Sequence, residues 1–180
     1  MNGKVLCIVQ ARLNSSRLPG KVIKKIGELR ALDLLLFRLA LAKKIDQVVL
    51  ATTTNAEDDL LENIAQENKI ACYRGNEHDV RSRYLDCIRQ YQPDTVIRIT
   101  GDCPFVEPLL IDQMIERYGN SPASYMNNTT PPTFPDGMDI EIFDPSVFIK
   151  VARNFNDPGY LEHVTKCLID SEIVKKIYFT

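Results

Sequence analysis

The sequence predicts an α/β protein, with three layers (α/β/α) around a mostly parallel sheet. Apolar runs typical of strands alternate with helical patterns over the first two thirds of the chain. The connections between them are short, which favours parallel strands joined by helices on both faces of the sheet. The chain has 180 residues, 44% of them hydrophobic, and domains cluster at about 100–200 residues. Residues 1–180 are therefore expected to form a single domain.

The first strand and helix establish this alternation. Residues 4–10 are a run of mostly Val, Leu, Cys and Ile, which is typical of a strand buried on both faces. Residues 11–21 follow as a loop, because they contain Asn, Ser, Pro and Gly. Residues 32–44 are strongly apolar, lack Gly and Pro, and end on basic residues, which predicts a helix packed on the sheet.

The alternation continues to residue 118. Apolar runs predict strands at 47–52, 70–73 and 95–100, and helices are predicted at 56–68, 79–90 and 108–118. The helix at 56–68 has apolar residues at helical spacing and acidic residues at its positive N-terminal end. The helix at 108–118 begins with Pro108, which is favoured in a first helical turn.

The pattern changes after residue 120. Residues 124–127 and 138–143 are predicted to be strands, the second antiparallel, separated by a Pro- and Thr-rich loop at 128–137. Asp157 and Pro158 fit the N-cap and first turn of a helix through residue 170. A last strand is predicted at 173–179.

Charge and composition exclude several classes of protein. The formal net charge of −2 argues against a nucleic-acid binder, which is usually basic. No apolar run approaches the roughly 18 residues of a membrane span, so we expect neither nucleic acid nor membrane as a partner. The cysteines are odd in number and scattered, which predicts a reduced, cytoplasmic protein with mostly buried thiols: Cys7, Cys72, Cys87, Cys103 and Cys167.

The near-neutral total conceals a basic N-terminal segment. The first 27 residues contain no Asp or Glu but six cations: Lys4, Arg12, Arg17, Lys21, Lys24 and Lys25. One interpretation is a solvated basic face. The other is an anion site, because Arg12, Arg17 and Lys21 lie in a loop directly after a strand. Open α/β sheets bind ligands at the carboxyl ends of their strands, which here points to 10–21, 52–56 and 100–104.

The loop at 10–21 is not a P-loop, since Ser15 replaces the first glycine and Val22 the final Ser or Thr. Its small residues nevertheless let backbone amides approach a ligand. Arginine binds phosphate oxygens bidentately and lysine acts as a point charge, so its three cations match a triphosphate. The alternative is that these cations are ordinary surface residues beside a Pro-Gly turn.

Acidic residues and a histidine provide further candidates. Asp102 follows the strand at 95–100 and could hold Mg²⁺ together with phosphate oxygens, or else cap the following turn. Strand alternation puts Asp139 and Glu141 on one face, where they could bind a sugar or a metal. The alternative is a half-exposed strand. His163 follows Glu162 on the late helix, and a lone histidine is more often structural than functional.

Together these segments resemble a known family. Residues 10–21, in the form x-Ala-Arg-x-x-Ser-x-Arg-Leu-Pro-Gly-Lys, resemble the N-terminal signature of the sugar-acid cytidylyltransferases, which include the acylneuraminate and 3-deoxy-manno-octulosonate enzymes. The later segments 75–84, 100–104, 135–143 and 162–165 are most similar to the branch of spore coat polysaccharide biosynthesis protein F. The resemblance implies a Rossmann-like fold of the nucleotide-diphospho-sugar transferase type. It also implies that CTP and a sugar acid give CMP-sugar and pyrophosphate, with Mg²⁺.

The resemblance also implies roles for single residues. The catalytic cations that hold the triphosphate would be Arg12, Arg17 and Lys21, and Asp102 would be the metal ligand. The backbone of Ala11 and Leu13 would meet the cytosine or ribose. The other nucleotide-binding positions that we assign are Gln10, Ser15 and Thr52. The acceptor sugar would face Asp139, Glu141 and His163.

In one respect the sequence departs from the family. Members generally continue into a segment resembling Val-Asp-Thr-x-x-Asp, which supplies a second metal aspartate, whereas this sequence stops at Phe179 and Thr180. We therefore expect a domain without that segment, and a possible homodimer through the region after residue 120. Two alternatives to a cytidylyltransferase stay open here: a glycosyltransferase on a related fold, and an inactive nucleotide-binding module.

Overall fold

The computed structural model describes residues 3–15 and 18–180, and a seven-stranded sheet forms its centre. Its strands are β1 (Val5–Gln10), β4 (Gln47–Thr53), β5 (Ala71–Gly75), β6 (Thr95–Thr100), β7 (Tyr125–Asn127), β8 (Glu141–Phe143) and β9 (Lys176–Tyr178). A separate two-stranded antiparallel hairpin consists of β2 (Lys25–Ile26) and β3 (Leu29–Arg30). The order across the large sheet is β5-β4-β1-β6-β8-β7-β9.

The sheet is mostly parallel, as the sequence predicts. Strands β5, β4, β1 and β6 run parallel to their neighbours, with Ile8 of β1 in register with Val49 and Arg98. Strand β8 lies antiparallel between β6 and β7, and β9 is parallel to β7. The chain leaves β1 towards β4 on one side and later returns to β6 on the other. Strands β1 and β6 therefore flank the point where the strand order reverses.

Helices cover both faces of the sheet, which confirms the three-layer prediction. They are α1 (Ala31–Leu39), α2 (Asp59–Glu67), α3 (Val80–Tyr91), α4 (Pro108–Gly119), α5 (Pro145–Ala152), α6 (Pro158–Glu162) and α7 (Lys166–Asp170). Alternate residues of β1 enter two separate cores. Cys7 and Val9 pack with α1, α2 and α4, whereas Leu6 and Ile8 pack with α3, α5 and α7. The alternation explains why β1 is apolar at nearly every position.

Two predicted helices are shorter than their sequence patterns suggest. The helix predicted at 32–44 ends at Leu39. It does not resume further on, because the amides of Lys43 and Lys44 donate to the carboxylate of Asp112 instead of to helical carbonyls. The helix predicted at 157–170 divides into α6 and α7 at His163, whose ψ of 81° is not helical. The break brings Thr165 into hydrogen-bonding distance of Glu141.

The region after residue 120 also differs from prediction. The strand expected at 138–143 begins only at Glu141, because the side chain of Asn128 bonds the carbonyl of Met138 and the amide of Ile140 in place of a ladder. The β2–β3 hairpin and helix α5 are not among the predicted elements. Helix α5 is capped by Asp144, which accepts from the amides of Ser146 and Val147.

The thiols are mostly buried, as the sequence predicts. All five thiols are free, and four of them are buried, with Cys72 half-buried. Within the described part of the chain, no helix is long and apolar enough to span a membrane.

Candidate nucleotide-binding site

A cavity of about 290 Å³ opens at the carboxyl ends of β1 and β6. Its walls come from the loop after β1, the turn after β6, the first turns of α3 and the end of α6. This is the point where the strand order reverses, and such points are the usual ligand sites of open α/β sheets. Two of the three strand ends expected from the sequence thus meet in one place.

The loop after β1 is held in shape by its own backbone and by a buried carboxylate. The carbonyl of Leu13 accepts from the amides of Ser15 (2.9 Å) and Gly20 (2.8 Å), so the loop folds back on itself. Gly20 has φ +66°, a left-handed conformation that favours glycine, and it leads into a 3₁₀ turn that begins at Lys21. The loop therefore returns Lys21 to the cavity that Arg12 enters from the other end.

Asp58 anchors this loop from the neighbouring strand connection. Its side chain is buried (1% exposed), accepts from the amide of Leu13 at 2.8 Å, and accepts from the hydroxyl of Thr53. From the sequence alone, the acidic residues around position 58 are expected only to favour a helix N-terminus. The sequence does contain a signal for this role, because Asp58 is an acidic residue that follows shortly after the end of a second strand, β4.

The predicted cations of the described loop face the cavity. The guanidinium of Arg12 lies 3.7 Å from Glu77 and 3.8 Å from Glu162, at the long end of ion-pair distances. The ammonium of Lys21 forms an ion pair with Asp102. Arg17, the third predicted cation, lies outside the described residues.

Asp102 is the carboxylate at the end of β6, and Lys21 keeps it ionised. Burial raises the pKa of Asp102, but hydrogen bonds from Lys21 and Thr100 outweigh this effect and hold the pKa below its ordinary value. Among residues 3–15 and 18–180, no cluster of three or more His, Cys, Asp or Glu side chains could hold a metal by itself. Mg²⁺ commonly uses one or two carboxylates and completes its shell with substrate phosphates and water, and Asp102 fits that use.

The other predicted nucleotide contacts divide into two groups. Gln10, Ala11 and Ser15 line the cavity, and Gln10 accepts hydrogen bonds from Tyr84 and Arg98 (both 3.0 Å). Leu13 and Thr52 are not part of its wall. The Leu13 amide is already donated to Asp58, and Thr52 is fully buried within β4. Alternation along β4 turns that side chain into the protein instead of towards the strand end.

Glu141 and Asp139 line a second, smaller cavity of about 170 Å³, and Arg98 and Thr100 belong to the walls of both cavities. Glu141 is buried (7% exposed) in an ion pair with Arg98, and it accepts from Tyr125 (2.5 Å) and Thr165 (2.8 Å). Burial raises the pKa of Glu141, whereas Arg98 and these hydrogen bonds lower it, with a net shift downwards. Its oxygens are thus engaged by the protein itself.

Asp139 and His163 are less constrained. Partial burial and the nearby carboxylates of Asp136, Glu141 and Asp102 raise the pKa of Asp139. His163 is exposed at the end of α6 and lines the main cavity.

Sequence reasoning assigned no role to two arginines of the main cavity, Arg83 and Arg98. Arg83 lies on α3 between Val80 and Cys87, which share the buried face of that helix. A charged residue at an apolar position of a helical pattern was the signal that could have revealed it.

The chain is similar to known cytidylyltransferases over nearly its whole length. A family model described as cytidylyltransferase matches residues 6–177. The spore coat polysaccharide biosynthesis protein SpsF of Bacillus subtilis (strain 168) is 33% identical, in an alignment that covers 97% of this chain and 74% of that protein.

Solved structures agree with this similarity. A cytidylyltransferase from Leptospira borgpetersenii serovar Hardjo-bovis superposes with a TM-score of 0.92 at 35% identity, covering 98% of this chain and 75% of the other. A CMP:2-keto-3-deoxy-manno-octonic acid synthetase solved in complex with CTP shares the fold at 15% identity, with a TM-score of 0.71 and coverage of 98% and 90%. With its cation-lined cavity at the switch point of a parallel sheet, this chain belongs to the cytidylyltransferase family, whose members are CTP-dependent nucleotidyltransferases.

Proposed function

We propose that this chain transfers CMP from CTP to a hydroxyl group of a sugar acid, with release of pyrophosphate, in the biosynthesis of a surface polysaccharide. The observation that carries the proposal is the cavity between β1 and β6, where Arg12 and Lys21 face a carboxylate at a strand end. The sugar acid is suggested by the similarity to the octulosonate and octonic acid enzymes. The role in a polysaccharide is suggested by SpsF.

The reaction is an in-line displacement at the α-phosphorus of CTP, in which an acceptor oxygen attacks and pyrophosphate leaves. Catalysis of such a step consists mainly of positioning the reactants and neutralising the charge on the phosphates. Arg12 and Lys21 supply positive charge from two ends of the loop, and we assign the same task to Arg17. In this proposal Lys21 binds the triphosphate when CTP enters and no longer pairs with Asp102. The Asp102 carboxylate can then act as a metal ligand.

Asp102 is the residue that we propose to hold Mg²⁺. When bound, the cation would withdraw charge from the phosphate oxygens and so favour the departure of pyrophosphate. A carboxylate that is no longer paired with Lys21 is still ionised at neutral pH, because the ordinary pKa of an aspartate is about 3.9, and this is the state that a cation requires.

The acceptor is proposed to enter beside the second cavity. Asp139 and His163 border the route to the nucleotide and could accept or donate hydrogen bonds to sugar hydroxyls. Glu141 also reaches the wall, but its oxygens already accept from three side chains. We therefore assign Glu141 to holding Arg98 in place at the boundary of the two cavities.

We further propose that the protein is cytoplasmic, that residues 1–180 form one domain, and that two copies form a homodimer. The free thiols support the compartment, because unpaired cysteines are typical of reducing surroundings. Oligomeric state is directly measurable by light scattering on the purified chain.

The substitution Lys21→Ala tests the proposal. It removes a charge from the triphosphate site, and loss of one such contact in a preorganised site lowers kcat by about 10²–10³-fold. The assay measures pyrophosphate release from CTP with Mg²⁺ and a panel of sugar acids that includes 3-deoxy-manno-octulosonate. Lys25→Ala is the matched control, since Lys25 is exposed in the β2–β3 hairpin and does not line the cavity.

Near-wild-type turnover by a folded Lys21→Ala variant would contradict the assignment of Lys21 to the triphosphate site. CTP binding by the wild-type chain without pyrophosphate release on any acceptor would instead favour a nucleotide-binding module.

A further inference from the structure

Arg83 has an unusual position for an arginine. Its side chain is buried (2% exposed), yet it forms part of the wall of the main cavity. The Nε and Nη1 atoms are buried and have no hydrogen-bond partner within residues 3–15 and 18–180. A guanidinium carries five N–H donors and stays charged in proteins, so these donors lack the acceptors that burial normally requires.

The comparison with two other buried arginines makes this clearer. Arg81, on the same helix, donates through Nη1 to the carbonyls of Ala152 and Phe155. Arg98 pairs with Glu141 and also donates to Gln10. Both therefore have acceptors within the protein, although Nε of Arg81 has none among the described residues. For both Nε and Nη1 of Arg83, the described part of the chain offers no acceptor, and a buried charge without a partner is strongly destabilising.

The charges around the cavity indicate that a ligand of Arg83 would be negatively charged. Lys21 is neutralised by Asp102, and Arg98 by Glu141. Among the described residues, Arg12 pairs only at long distance, with Glu77 and Glu162. Burial lowers the pKa of Arg83 and the nearby Arg12 lowers it further, while the carboxylate of Asp58 acts in the opposite direction. Arg83 and Arg12 thus repel each other, and an anion bound between them would relieve that repulsion.

The backbone next to Arg83 leaves room for its side chain to occupy this position. A Cβ atom at Gly75 would come within 2.9 Å of Cγ of Arg83, closer than two carbon atoms can approach without displacement. Because Gly75 has no side chain, the aliphatic part of Arg83 can pass beside the end of β5. The guanidinium thereby reaches the wall of the cavity.

We propose that Arg83 binds the phosphate groups of CTP. The nucleotide would then supply the acceptors that Nε and Nη1 of this guanidinium lack among the described residues. The proposal rests on the proposed function, because it needs CTP in this cavity. Phosphate is favoured over other anions because Arg12, which belongs to the triphosphate loop, faces the same region. Arginine also suits phosphate oxygens through paired N–H donors.

Arg83→Met and Arg81→Met form a matched pair of variants on one helix. Each replaces a buried arginine by an apolar side chain that can follow the stem of the original. Calorimetry measures the affinity of each protein for CTP, and competition against CTP measures the affinity for cytidine, which lacks phosphates. Thermal unfolding without ligand gives the Tm of each variant.

We expect Arg83→Met to bind CTP about ten- to a hundredfold more weakly, the usual range for a lost hydrogen bond to a charged group. Its affinity for cytidine should not change, and its Tm should equal or exceed that of the wild type, since an unpaired buried charge has been removed. Arg81→Met should instead lower the Tm and leave CTP affinity unchanged.

Two results would overturn this role for Arg83: wild-type CTP affinity in Arg83→Met, or an equal loss for cytidine and CTP. The second would point to the nucleoside instead of the phosphates. If the wild-type chain itself failed to bind CTP, the proposed function would be wrong, and the inference about Arg83 with it.

Discussion

The ion pair between Arg98 and Glu141 shows how a residue that resembles a ligand contact in the sequence can have a structural task. Glu141 lies at the start of β8 and Arg98 in β6, on strands that pair with each other. Tyr125 and Thr165 complete the hydrogen bonds of the carboxylate. This cluster joins β6, β7, β8 and the segment before α7, next to the cavity wall.

We expect Glu141→Gln to destabilise the protein by about 3 kcal/mol, because it leaves the charge of the buried Arg98 without its counterion. The concentration of urea at half-unfolding measures this loss. Glu116→Gln is the control, since its ion pair with Lys44 is exposed and contributes only about 0–1 kcal/mol. Equal midpoints for wild type and Glu141→Gln would contradict the assignment.

The same pair predicts a dependence of stability on pH. The pKa of Glu141 is lower in the folded state than its ordinary value of 4.5. Its contribution to stability is therefore complete above pH 4.5 and is lost as the pH falls through the lowered pKa of the folded state. Unfolding of the wild type should show this loss in acid, whereas Glu141→Gln should lack that component.

At the residue scale the sequence predicts positions better than partners. Arg12, Lys21 and Asp102 stand beside strand ends, and local order along the chain is enough to place them in one cavity. The partner of a side chain depends on contacts between distant segments. For that reason the sequence does not reveal the pairing of Glu141 with Arg98. Nor does it reveal that Nε and Nη1 of Arg83 have no acceptor among the described residues.

The loop after β1 is the element that most directly shapes the nucleotide site. It begins at a strand end and is fixed at Leu13 by Asp58, which lies in the turn before α2. The two strands that carry these segments, β1 and β4, are neighbours in the sheet. The geometry of the loop is therefore set from outside the loop, by a carboxylate that we regard as a positioning residue.

Removal of that carboxylate should loosen the loop. We expect Asp58→Ala to accelerate hydrogen exchange at the Leu13 amide and to lower kcat/KM for CTP by about ten- to a hundredfold, since small displacements in a positioned site have effects of that size. Asp58→Asn should restore much of both, because its amide oxygen can still accept from Leu13. Unchanged exchange at Leu13 in the folded Ala variant would rule out this role.

The predicted elements agree with the structure where periodicity is long enough to read. Strands β1, β4 and β6 and helices α3 and α4 match within two residues, because each has a distinctive apolar run or spacing. Strands β7, β8 and β9 have only three residues each, too few to establish an alternation. The division into α6 and α7 depends on His163 and on the contact between Thr165 and Glu141, which is a tertiary effect.

For the molecule as a whole, the distribution of charge has a structural meaning. The described basic residues before position 27 do not form one solvated face. Arg12 and Lys21 enter the cavity, while Lys25 is exposed on the hairpin. The acidic residues that neutralise them come from later segments, such as Glu77, Asp102 and Glu162. The sum over the chain is therefore near zero, although one end of the sheet can bind a polyanion.

The central claim is that this cavity binds CTP in preference to other nucleotides. The direct measurement is the shift of Tm produced by CTP, UTP, ATP and GTP, each with Mg²⁺ at the same concentration, because a ligand that binds only the folded state raises Tm with its affinity. The structure and family predict the largest shift with CTP, and a smaller one in Lys21→Ala. A larger shift with a purine triphosphate, or no shift with any of the four, would contradict the account.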